Sequence, residues 1–457
     1  MESQASAGSA QAAACKAVRS ITIPSLTGIR LILLGSPLWL LQLALPGGWA
    51  IATAYWALLV FWAYREHRRL PGAAHLQAVR RLPRRFSLGS AQEVGLTIHN
   101  QSRHTVEAVI RDELHDALQL IAPIPAGTLP SGGDAFINYQ VRAKERGEHW
   151  LGRVLLHVQR QGGLLQRRIA LQLDDRVKVY PQFLEVGKYE LLAKIDERDE
   201  VVRRPRRVRG AGTDFESLRQ YVPGDDVRKI DWKASARRGG LVSRVFQVEK
   251  GQQLAILIDC GRLMAGTIGE YSRLEHAFNA AVMLSYVAQK RGDSLAMATF
   301  SNRIESFLPP TRGSAIMPSV LENLCKVKLR EVESDYWQVT AEMMSMLKKR
   351  SLVFMLTDVL DSISSQGLIN NLYRASAKHL VLCVVLSEPQ VEKTADMMVQ
   401  DTDQAYTKAA ACHLRLERHL ALERLRSRGI LVLETAPEHL SIQLVRRYLE
   451  IRQADLQ

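Results

Sequence analysis

Two aspartates stand directly after apolar runs that have the composition of buried strands. The run LAILI ends at Asp259, and the run LVFMLT ends at Asp358. Because the carboxyl ends of parallel strands open on one edge of a sheet, both carboxylates are expected where α/β domains bind their ligands. Carboxylate oxygens are also ligands that magnesium prefers in proteins. The pair therefore predicts one divalent cation, such as magnesium, held between the two strand ends.

The elements that must position these acids alternate between strands and helices over residues 250–457. The predicted strands are continuous apolar runs, which is typical of sheets that helices cover on both faces. They lie at 253–259, 294–300, 351–358, 379–386 and 430–434. The predicted helices lie at 272–290, 314–324, 337–349, 367–377, 405–427 and 438–452. This order predicts an α/β doubly wound, Rossmann-type C-terminal domain.

The loop after Asp259 resembles the metal-binding loop of the von Willebrand factor A domain. In that domain an Asp-x-Ser-x-Ser loop, a later threonine and an aspartate after the fourth strand hold the ion. Asp259 and Asp358 match the two acids, whereas Gly261 and Leu263 stand where the two serines belong. The resemblance therefore implies a von Willebrand A-like domain with a degenerate metal site.

Two interpretations of these acids remain open. In the first, Thr311 or Ser314 supplies the later hydroxyl and a weakened divalent site persists, although magnesium demands a nearly complete octahedral set of ligands. In the second, Asp259 pairs with a nearby arginine or caps a helix, and Arg262 already brings a cation to the loop. We expect no cofactor beyond such a divalent cation.

The segment 213–249 contains the run RQYVPGDDVRKIDWKASAR, followed by RVFQVE. This run resembles the bacterial family named domain of unknown function 58, and the resemblance covers nearly the whole chain. It implies an N-terminal membrane hairpin, a β-rich segment and a von Willebrand A-like domain. It also implies a role beside a MoxR-type AAA+ ATPase, as an adaptor in the assembly or remodelling of other proteins.

Physical reasoning gives this motif two alternative roles. In the first, Pro223 and Gly224 form a turn, acids cap the next helical turn, and the segment is braced against the sheet. In the second, tyrosine, tryptophan and arginines form a docking face, since such residues dominate protein interfaces. The residues concerned are Tyr221, Gly224, Asp225, Asp226, Arg228, Asp231, Trp232, Ser235 and Arg237.

Two apolar blocks near the start, Leu31–Leu45 and Gly48–Tyr64, carry no charge and are joined through a Pro-Gly-Gly turn. Each is close to the shortest length of a membrane-crossing helix. Basic residues flank both outer ends, so the positive-inside rule places these ends in the cytoplasm. The pattern predicts a two-helix transmembrane hairpin at 29–64, in a multi-pass protein of the bacterial inner (cytoplasmic) membrane whose soluble domains face the cytoplasm. The alternative is a buried helical pair inside a soluble domain.

Composition divides the remaining residues. Residues 1–28 are rich in alanine and serine without an apolar run, and they are expected to be disordered. Residues 84–181 alternate apolar and polar side chains between turn residues, which predicts a β-sandwich middle domain. Residues 200–249 form a basic connector and the motif, with five arginines between positions 203 and 209.

The net charge and the motifs present reduce the number of functions that the sequence supports. The net charge of +14 suits an acidic partner or an anionic membrane surface. No aromatic stacking pattern accompanies the connector arginines, so nucleic acid is not an expected partner, although a lipid- or nucleic-acid-binding surface remains one alternative. A metal-assisted hydrolase that uses Asp259 and Asp358 is the other, but no nucleophile elbow, phosphate loop or HExxH motif supports it. We expect a non-enzymatic, membrane-anchored adaptor that works with the lipid membrane and a MoxR-type AAA+ ATPase.

Overall fold

The computed structural model of the chain describes residues 16–40, 48–83, 86–182, 214–222, 227, 230–247, 252–359 and 365–455. Contacts divide the chain into two compact units, Met1–Gln182 and Phe183–Gln457. The first unit is rich in strands, and the second alternates strands with helices.

The first unit contains two β-sheets. The seven-stranded sheet is formed by β1 (Lys16–Pro24), β3 (Phe86–Ser87), β5 (Val106–Leu114), β7 (Gly127–Leu129), β9 (Gly147–Gln159), β10 (Leu165–Gln172) and β11 (Asp175–Tyr180). The four-stranded sheet is formed by β2 (Leu76–Arg81), β4 (Ala91–Asn100), β6 (Leu118–Leu120) and β8 (Asp134–Ala143). Side chains of β8 alternate strictly between exposed and buried, as expected for a strand with one face on the core. Residues 16–24, which composition predicts to be disordered, instead pair with β10 as β1.

A buried charge network connects the two sheets of the first unit. Arg80 of β2 donates to Asp112 of β5 at 2.5 Å and to Asp175 of β11 at 2.8 Å. Tyr139 of β8 donates its hydroxyl hydrogen to the other oxygen of Asp112. Burial raises the pKa of Tyr139, and the neighbouring Asp112 raises it further, so the tyrosine remains a donor. Since buried charges are tolerated only when they are paired, this network ties the sheets together.

Two helices stand where the transmembrane hairpin is predicted. The first, α1 (Leu26–Gly35), has ten residues and gives way to a 3-10 helix at Ser36–Leu40, where Pro37 removes a donor that a continuing α-helix needs. The second, α2 (Gly48–Arg69), has 22 residues but ends in the charged run REHRR. Among the residues described, no helix combines the length and the hydropathy that crossing a membrane requires. The predicted hairpin at 29–64 is therefore wrong, and so is the multi-pass localisation at the bacterial inner membrane.

The end of α2 is attached to the β-rich domain. The carboxylate of Glu66 is buried, and one of its oxygens accepts the N–H of Leu164 at 2.7 Å. Arg167 donates to the backbone oxygens of Leu70 at 2.8 Å and of His67 at 3.1 Å. Several apolar side chains of α1 and α2 are nevertheless exposed. The charged end of α2 is thus a junction with β10 and the turn before it.

A short hairpin and a helix begin the described part of the second unit. β12 (Asp214–Gln220) pairs antiparallel with β13 (Val242–Gln247). The helix α3 (Trp232–Arg238) lies between these strands in the chain and contains part of the motif.

A six-stranded sheet forms the centre of the second unit. Its strands follow the order β18 (Ile304–Thr311), β17 (Ser294–Phe300), β14 (Gln253–Asp259), β19 (Leu352–Leu356), β20 (Leu380–Leu386) and β21 (Leu431–Thr435). Neighbours are parallel, except that β18 is antiparallel to β17. A further two-stranded ribbon is formed by β15 (Thr267–Ile268) and β16 (Tyr271–Ser272).

Helices cover both faces of this sheet. They are α4 (Arg273–Lys290), α5 (Ile316–Lys326), α6 (Tyr336–Met346), α7 (Gln366–Ser376), α8 (Pro389–Asp396), α9 (Thr402–Ser427) and α10 (Leu440–Asp455). Val353 and Met355 of β19 belong to a buried cluster with side chains of α6, α7 and α9. Phe354 between them packs instead against Tyr448 of α10, with ring centroids 6.5 Å apart. The likeness of this unit to the von Willebrand factor A domain remains a prediction.

Candidate functional site

The two strand-end aspartates lie on neighbouring strands of the six-stranded sheet. Asp259 is the last residue of β14, and Asp358 follows shortly after the end of β19. Because β14 and β19 are paired in parallel, both acids lie at the carboxyl edge of the sheet. Asp259 is 0% exposed and Asp358 is 2% exposed. The chemistry available at this edge depends on what surrounds each carboxylate.

Asp259 is surrounded by uncharged donors. One carboxylate oxygen accepts the N–H of Gly261 at 2.8 Å and the hydroxyl of Ser334 at 2.5 Å. The other accepts the hydroxyls of Tyr336 at 2.9 Å and Thr357 at 2.7 Å. An ionised carboxylate has about four acceptor positions. Each position of Asp259 therefore has a donor from the chain itself.

Local structure explains how these donors reach Asp259. Asp335 caps α6 by accepting the N–H groups of Trp337 and Gln338 at 3.0 and 3.1 Å, which fixes the residues on either side of the cap. Position 261 is close to the same donors, since a Cβ there would lie 2.2 Å from the Ser334 oxygen. Gly261 is thus required by the close approach of Ser334.

Asp358 is surrounded by cations. One oxygen lies 3.0 Å from Arg273, and the other lies 3.4 Å from Arg418 and accepts the N–H of Val359 at 2.9 Å. Each arginine also has a second carboxylate: Glu388 is 2.7 Å from Arg273, and Glu434 is 3.2 Å from Arg418. A buried charge of this kind is stable only within such a paired network.

The residues at this edge do not fit a divalent metal site. The acceptor positions of Asp259 are taken by N–H and O–H donors, and Asp358 already faces two guanidinium groups. Thr311 pairs with Leu295 near the start of β17, at the opposite edge of the sheet, and Ser314 lies in the 3-10 helix that follows, so neither supplies the later hydroxyl. Among the described residues there is also no group of three or more His, Cys, Asp or Glu side chains that could hold a metal ion. The arrangement favours the interpretation in which arginines satisfy an acid, but they pair with Asp358 and not with Asp259.

Two further groups, Tyr336 at this edge and Cys383 inside β20, are held in their neutral forms. Burial raises the pKa of Tyr336 well above its ordinary value, and the charge of Asp259 raises it further. Burial also raises the pKa of the Cys383 thiol to about 12, with a smaller contribution from Asp358. Tyr336 therefore acts as a hydrogen-bond donor, and Cys383 is not a thiolate nucleophile near neutral pH.

The residues that satisfy the two acids are missing from the sequence-based site. Ser334 and Tyr336 are 75 and 77 positions from Asp259, and no local pattern links them. Arg273 does leave one signal. It is the first residue of α4, where the helix dipole disfavours a cation, so an arginine there indicates a partner outside its own helix.

Part of the motif in the β12–β13 region holds local structure. Asp231 caps α3 by accepting the N–H groups of Lys233 and Ala234 at 3.1 and 3.0 Å. The hydroxyl of Ser235 donates to the backbone oxygen of Asp231 at 2.7 Å and accepts the N–H of Val242 at 2.9 Å. Asp231 and Ser235 therefore join the start of α3 to β13, in agreement with the bracing role.

Another part of the motif faces solvent. Trp232 is 66% exposed, and Arg237 is exposed as well. Apolar residues near it in the chain, Val222, Val227 and Leu241, are also exposed. Asp231 and Ser235 supply the bracing contacts described above, and the indole of Trp232 is exposed beside them.

The remaining residues of the predicted interaction motif are less informative. Tyr221 is half-buried, and its N–H donates to the backbone oxygen of Leu241 at 2.9 Å. Gly224, Asp225, Asp226 and Arg228 lie outside the described residues, as does the arginine-rich stretch 200–212 of the connector.

Comparison with known proteins places the motif in a recognised family. A model of the family described as "Protein of unknown function DUF58" matches residues 217–416. The uncharacterised protein YeaD of Bacillus subtilis (strain 168) is 29% identical over 123 residues, which is 27% of this chain and 30% of YeaD. The match thus spans less than a third of that relative.

Among solved structures, the similarities are partial. Part of Escherichia coli alpha-2-macroglobulin, from domain MG7 to the C-terminus, is 18% identical with a TM-score of 0.20 and covers 25% of this chain and 17% of that one. The cupredoxin domain of amoB from Nitrosocaldus yellowstonii is 13% identical with a TM-score of 0.19 and covers 25% of this chain and 91% of that one. Scores this low carry no conclusion about fold or function.

Proposed function

The chain belongs to the DUF58 family, whose function is unknown, through residues 217–416, and from this premise we propose that it is a protein-interaction module that performs no chemistry of its own. The partner that we propose is a MoxR-type AAA+ ATPase, which the family resemblance implies. In this role the chain is an adaptor that helps the ATPase assemble or remodel other proteins.

The observation that carries this proposal is the exposure of Trp232 within the family motif. A tryptophan that is 66% exposed contributes little to folding, yet its neighbours Asp231 and Ser235 hold it on a fixed helix. Tryptophan and arginine are the residues most often responsible for binding energy at protein interfaces. Trp232 and Arg237 on α3 have that composition.

The carboxyl edge of the sheet supports the same proposal. Asp259 and Asp358 are engaged by hydrogen bonds and ion pairs within the chain. A hydrolase that uses these two carboxylates would need at least one of them to reach a substrate or a water. The geometry therefore favours binding over hydrolysis.

The proposal is tested by measuring the affinity of the full chain for the MoxR-type ATPase from the same organism. Trp232→Ala is compared with Trp150→Ala, which removes another half-exposed tryptophan from the first unit. We expect Trp232→Ala to weaken binding by about tenfold or more, with an unchanged melting temperature, and Trp150→Ala to leave binding intact. Equal affinity of all three proteins, or no measurable binding by the unmodified chain, would count against the proposal.

A further inference from the structure

A groove in the second unit combines aromatic rings with arginines, and none of the described residues that line it is acidic. Its volume is about 920 Å³. It lies between the first turn of α6, the exposed side of α7 and the end of α9, and it contains Trp337, Asn370, Tyr373, Arg374 and Arg428. Trp337 is 57% exposed and Tyr373 is 55% exposed, so both rings are accessible to a partner.

Each arginine of the groove is positioned by a ring. The guanidinium carbon of Arg374 lies 4.5 Å from the ring centroid of Trp337, and that of Arg428 lies 5.9 Å from the ring centroid of Tyr373. Arg428 also donates to the side-chain oxygen of Asn370 at 2.5 Å. Cation–π contacts of this kind hold a guanidinium plane against a ring while its N–H edge can still donate.

The positive charges of the two groove arginines are not neutralised by the described residues around them. Neither Arg374 nor Arg428 has a carboxylate within 4.0 Å among the described residues, whereas Arg273 and Arg418 each have two. Guanidinium groups bind carboxylates through two parallel hydrogen bonds, which makes such pairs both strong and specific. The groove therefore offers two oriented guanidinium donors for which the described part of the chain supplies no carboxylate.

We propose that this groove binds an acidic segment of a partner protein. Carboxylates of the segment pair with Arg374 and Arg428, and an apolar side chain packs against the exposed parts of Trp337 and Tyr373. This inference rests on the proposed interaction function, and it adds a second contact surface and the chemistry of the bound segment. A single-stranded nucleic acid fits less well, because its bases stack on open ring faces and here a guanidinium group lies over each ring.

The test uses the full chain and three fluorescent probes. These are a short peptide rich in glutamate and leucine, the same peptide with glutamine in place of each glutamate, and an oligothymidylate of similar length. The groove variant is Arg374→Ala with Arg428→Ala. The matched control is Arg312→Ala with Arg350→Ala, which removes the same charge from exposed positions of the same unit.

We expect the acidic peptide to bind, the groove variant to weaken binding by about tenfold or more, and the control variant to change it much less. Circular dichroism and the melting temperature check that the groove variant is folded; if it is not, Arg374→Lys with Arg428→Lys keeps the charge and should still weaken binding by removing the paired donors. Equal binding of the glutamine peptide, equal loss in the control variant, or tighter binding of oligothymidylate through the same arginines would overturn the inference.

The two proposals fail separately. If the acidic peptide does not bind while Trp232→Ala still weakens binding to the ATPase, the groove inference is wrong and the interaction function stands. If the peptide binds through the arginines while the chain has no affinity for the ATPase, the proposed partner is wrong and the groove remains.

Discussion

The two edges of the six-stranded sheet are built alike, although only one is expected to bind ligands. At the carboxyl edge, Asp259 accepts a tyrosine hydroxyl from Tyr336 and a backbone N–H from Gly261. At the opposite edge, Asp293 accepts the hydroxyl of Tyr448 and the N–H of Gln252 at 3.0 Å. Both aspartates are 0% exposed. At both edges a buried aspartate therefore accepts one tyrosine hydroxyl and one backbone N–H.

Both edges also hold a buried acid that pairs with arginine. Asp293 has Arg452 at 3.2 Å, and at the carboxyl edge Asp358 has Arg273 and Arg418. Arg273 and Arg418 supply positive charge at the carboxyl edge, where parallel sheets usually bind their ligands. The comparison indicates that the chain stabilises its strand-end acids with its own side chains, which agrees with the proposal that a partner binds at exposed surfaces elsewhere.

The largest expected effect comes from removing one of those cations. Arg273→Ala removes one of the two arginines that face the buried Asp358 and leaves Glu388 without its arginine, and Arg273 is only 9% exposed. Breaking a buried ion pair from one side costs about 3–5 kcal/mol. We expect the free energy of unfolding of the second unit, measured by urea titration, to fall by this amount.

A matched control sharpens that prediction. Arg262 lies in the same loop region but pairs with Glu333 on the surface, with side chains 61% and 86% exposed. Arg262→Ala should therefore change the free energy of unfolding by less than about 1 kcal/mol. Similar losses for both variants would show that the carboxyl edge does not depend on its buried arginines.

The next largest loss of stability is expected when the tyrosine hydroxyl at either edge is removed. Tyr336→Phe and Tyr448→Phe each remove one hydroxyl donor from a buried aspartate. Hydrogen bonds to charged groups contribute about 1.5–3 kcal/mol, so both variants should lose stability by a similar amount. If Tyr336→Phe left the free energy of unfolding unchanged but altered binding to the ATPase, the carboxyl edge would have a binding role that the opposite edge lacks.

A smaller effect concerns pH. Nδ1 of His379, before β20, accepts the N–H of Ser351 at 3.2 Å, and burial, with a smaller contribution from Lys378, lowers the pKa of His379. The folded chain therefore favours the neutral imidazole, so the stability it contributes is complete above the unfolded pKa of about 6.5 and is lost as pH falls through the folded pKa.

The measurement is the free energy of unfolding at pH 7.5 and pH 5.5 for the unmodified chain and for His379→Asn, whose side-chain oxygen can accept the same N–H. We expect the unmodified chain to lose more stability on acidification than the variant does. If both proteins lost the same free energy of unfolding on acidification, protonation of His379 would not be a cause of the acid sensitivity.

The smallest effect on stability is expected at the exposed motif. Trp232→Ala removes a side chain that is 66% exposed, so the free energy of unfolding should change by less than about 0.5 kcal/mol. Thermal unfolding of the full chain is sufficient to detect a larger change. A loss comparable to that of Tyr336→Phe would assign Trp232 to bracing and not to contact with a partner.

The sequence predicts the strands of the second unit well because their apolar runs are continuous. The predicted strands 253–259 and 294–300 have the observed bounds Gln253–Asp259 and Ser294–Phe300, since nearly every side chain in them is buried. Hydropathy alone gave the wrong prediction of a transmembrane hairpin at 29–64. An apolar block does not show that a helix breaks at Pro37 or that a buried Glu66 attaches α2 to the β-rich domain.

The candidate site is less predictable because its contacts join distant parts of the chain. The two acids are visible in the sequence, but the donors around them come from Ser334, Tyr336 and Thr357, and Thr357 is 98 positions from Asp259. Gly261 illustrates the limit of motif comparison. In the resemblance it is a lost ligand, whereas in the structure it makes room for the Ser334 hydroxyl.

Hydrogen–deuterium exchange of the full chain, alone and with the MoxR-type ATPase, compares the exposed motif and the carboxyl edge in one measurement. We expect binding to slow exchange of backbone amides in residues 230–247, which contain α3 and Trp232, and to leave residues 254–259 and 352–359 unchanged. Slowed exchange at the two strand ends, with 230–247 unaffected, would contradict the proposal that the chain binds its partner through the exposed motif.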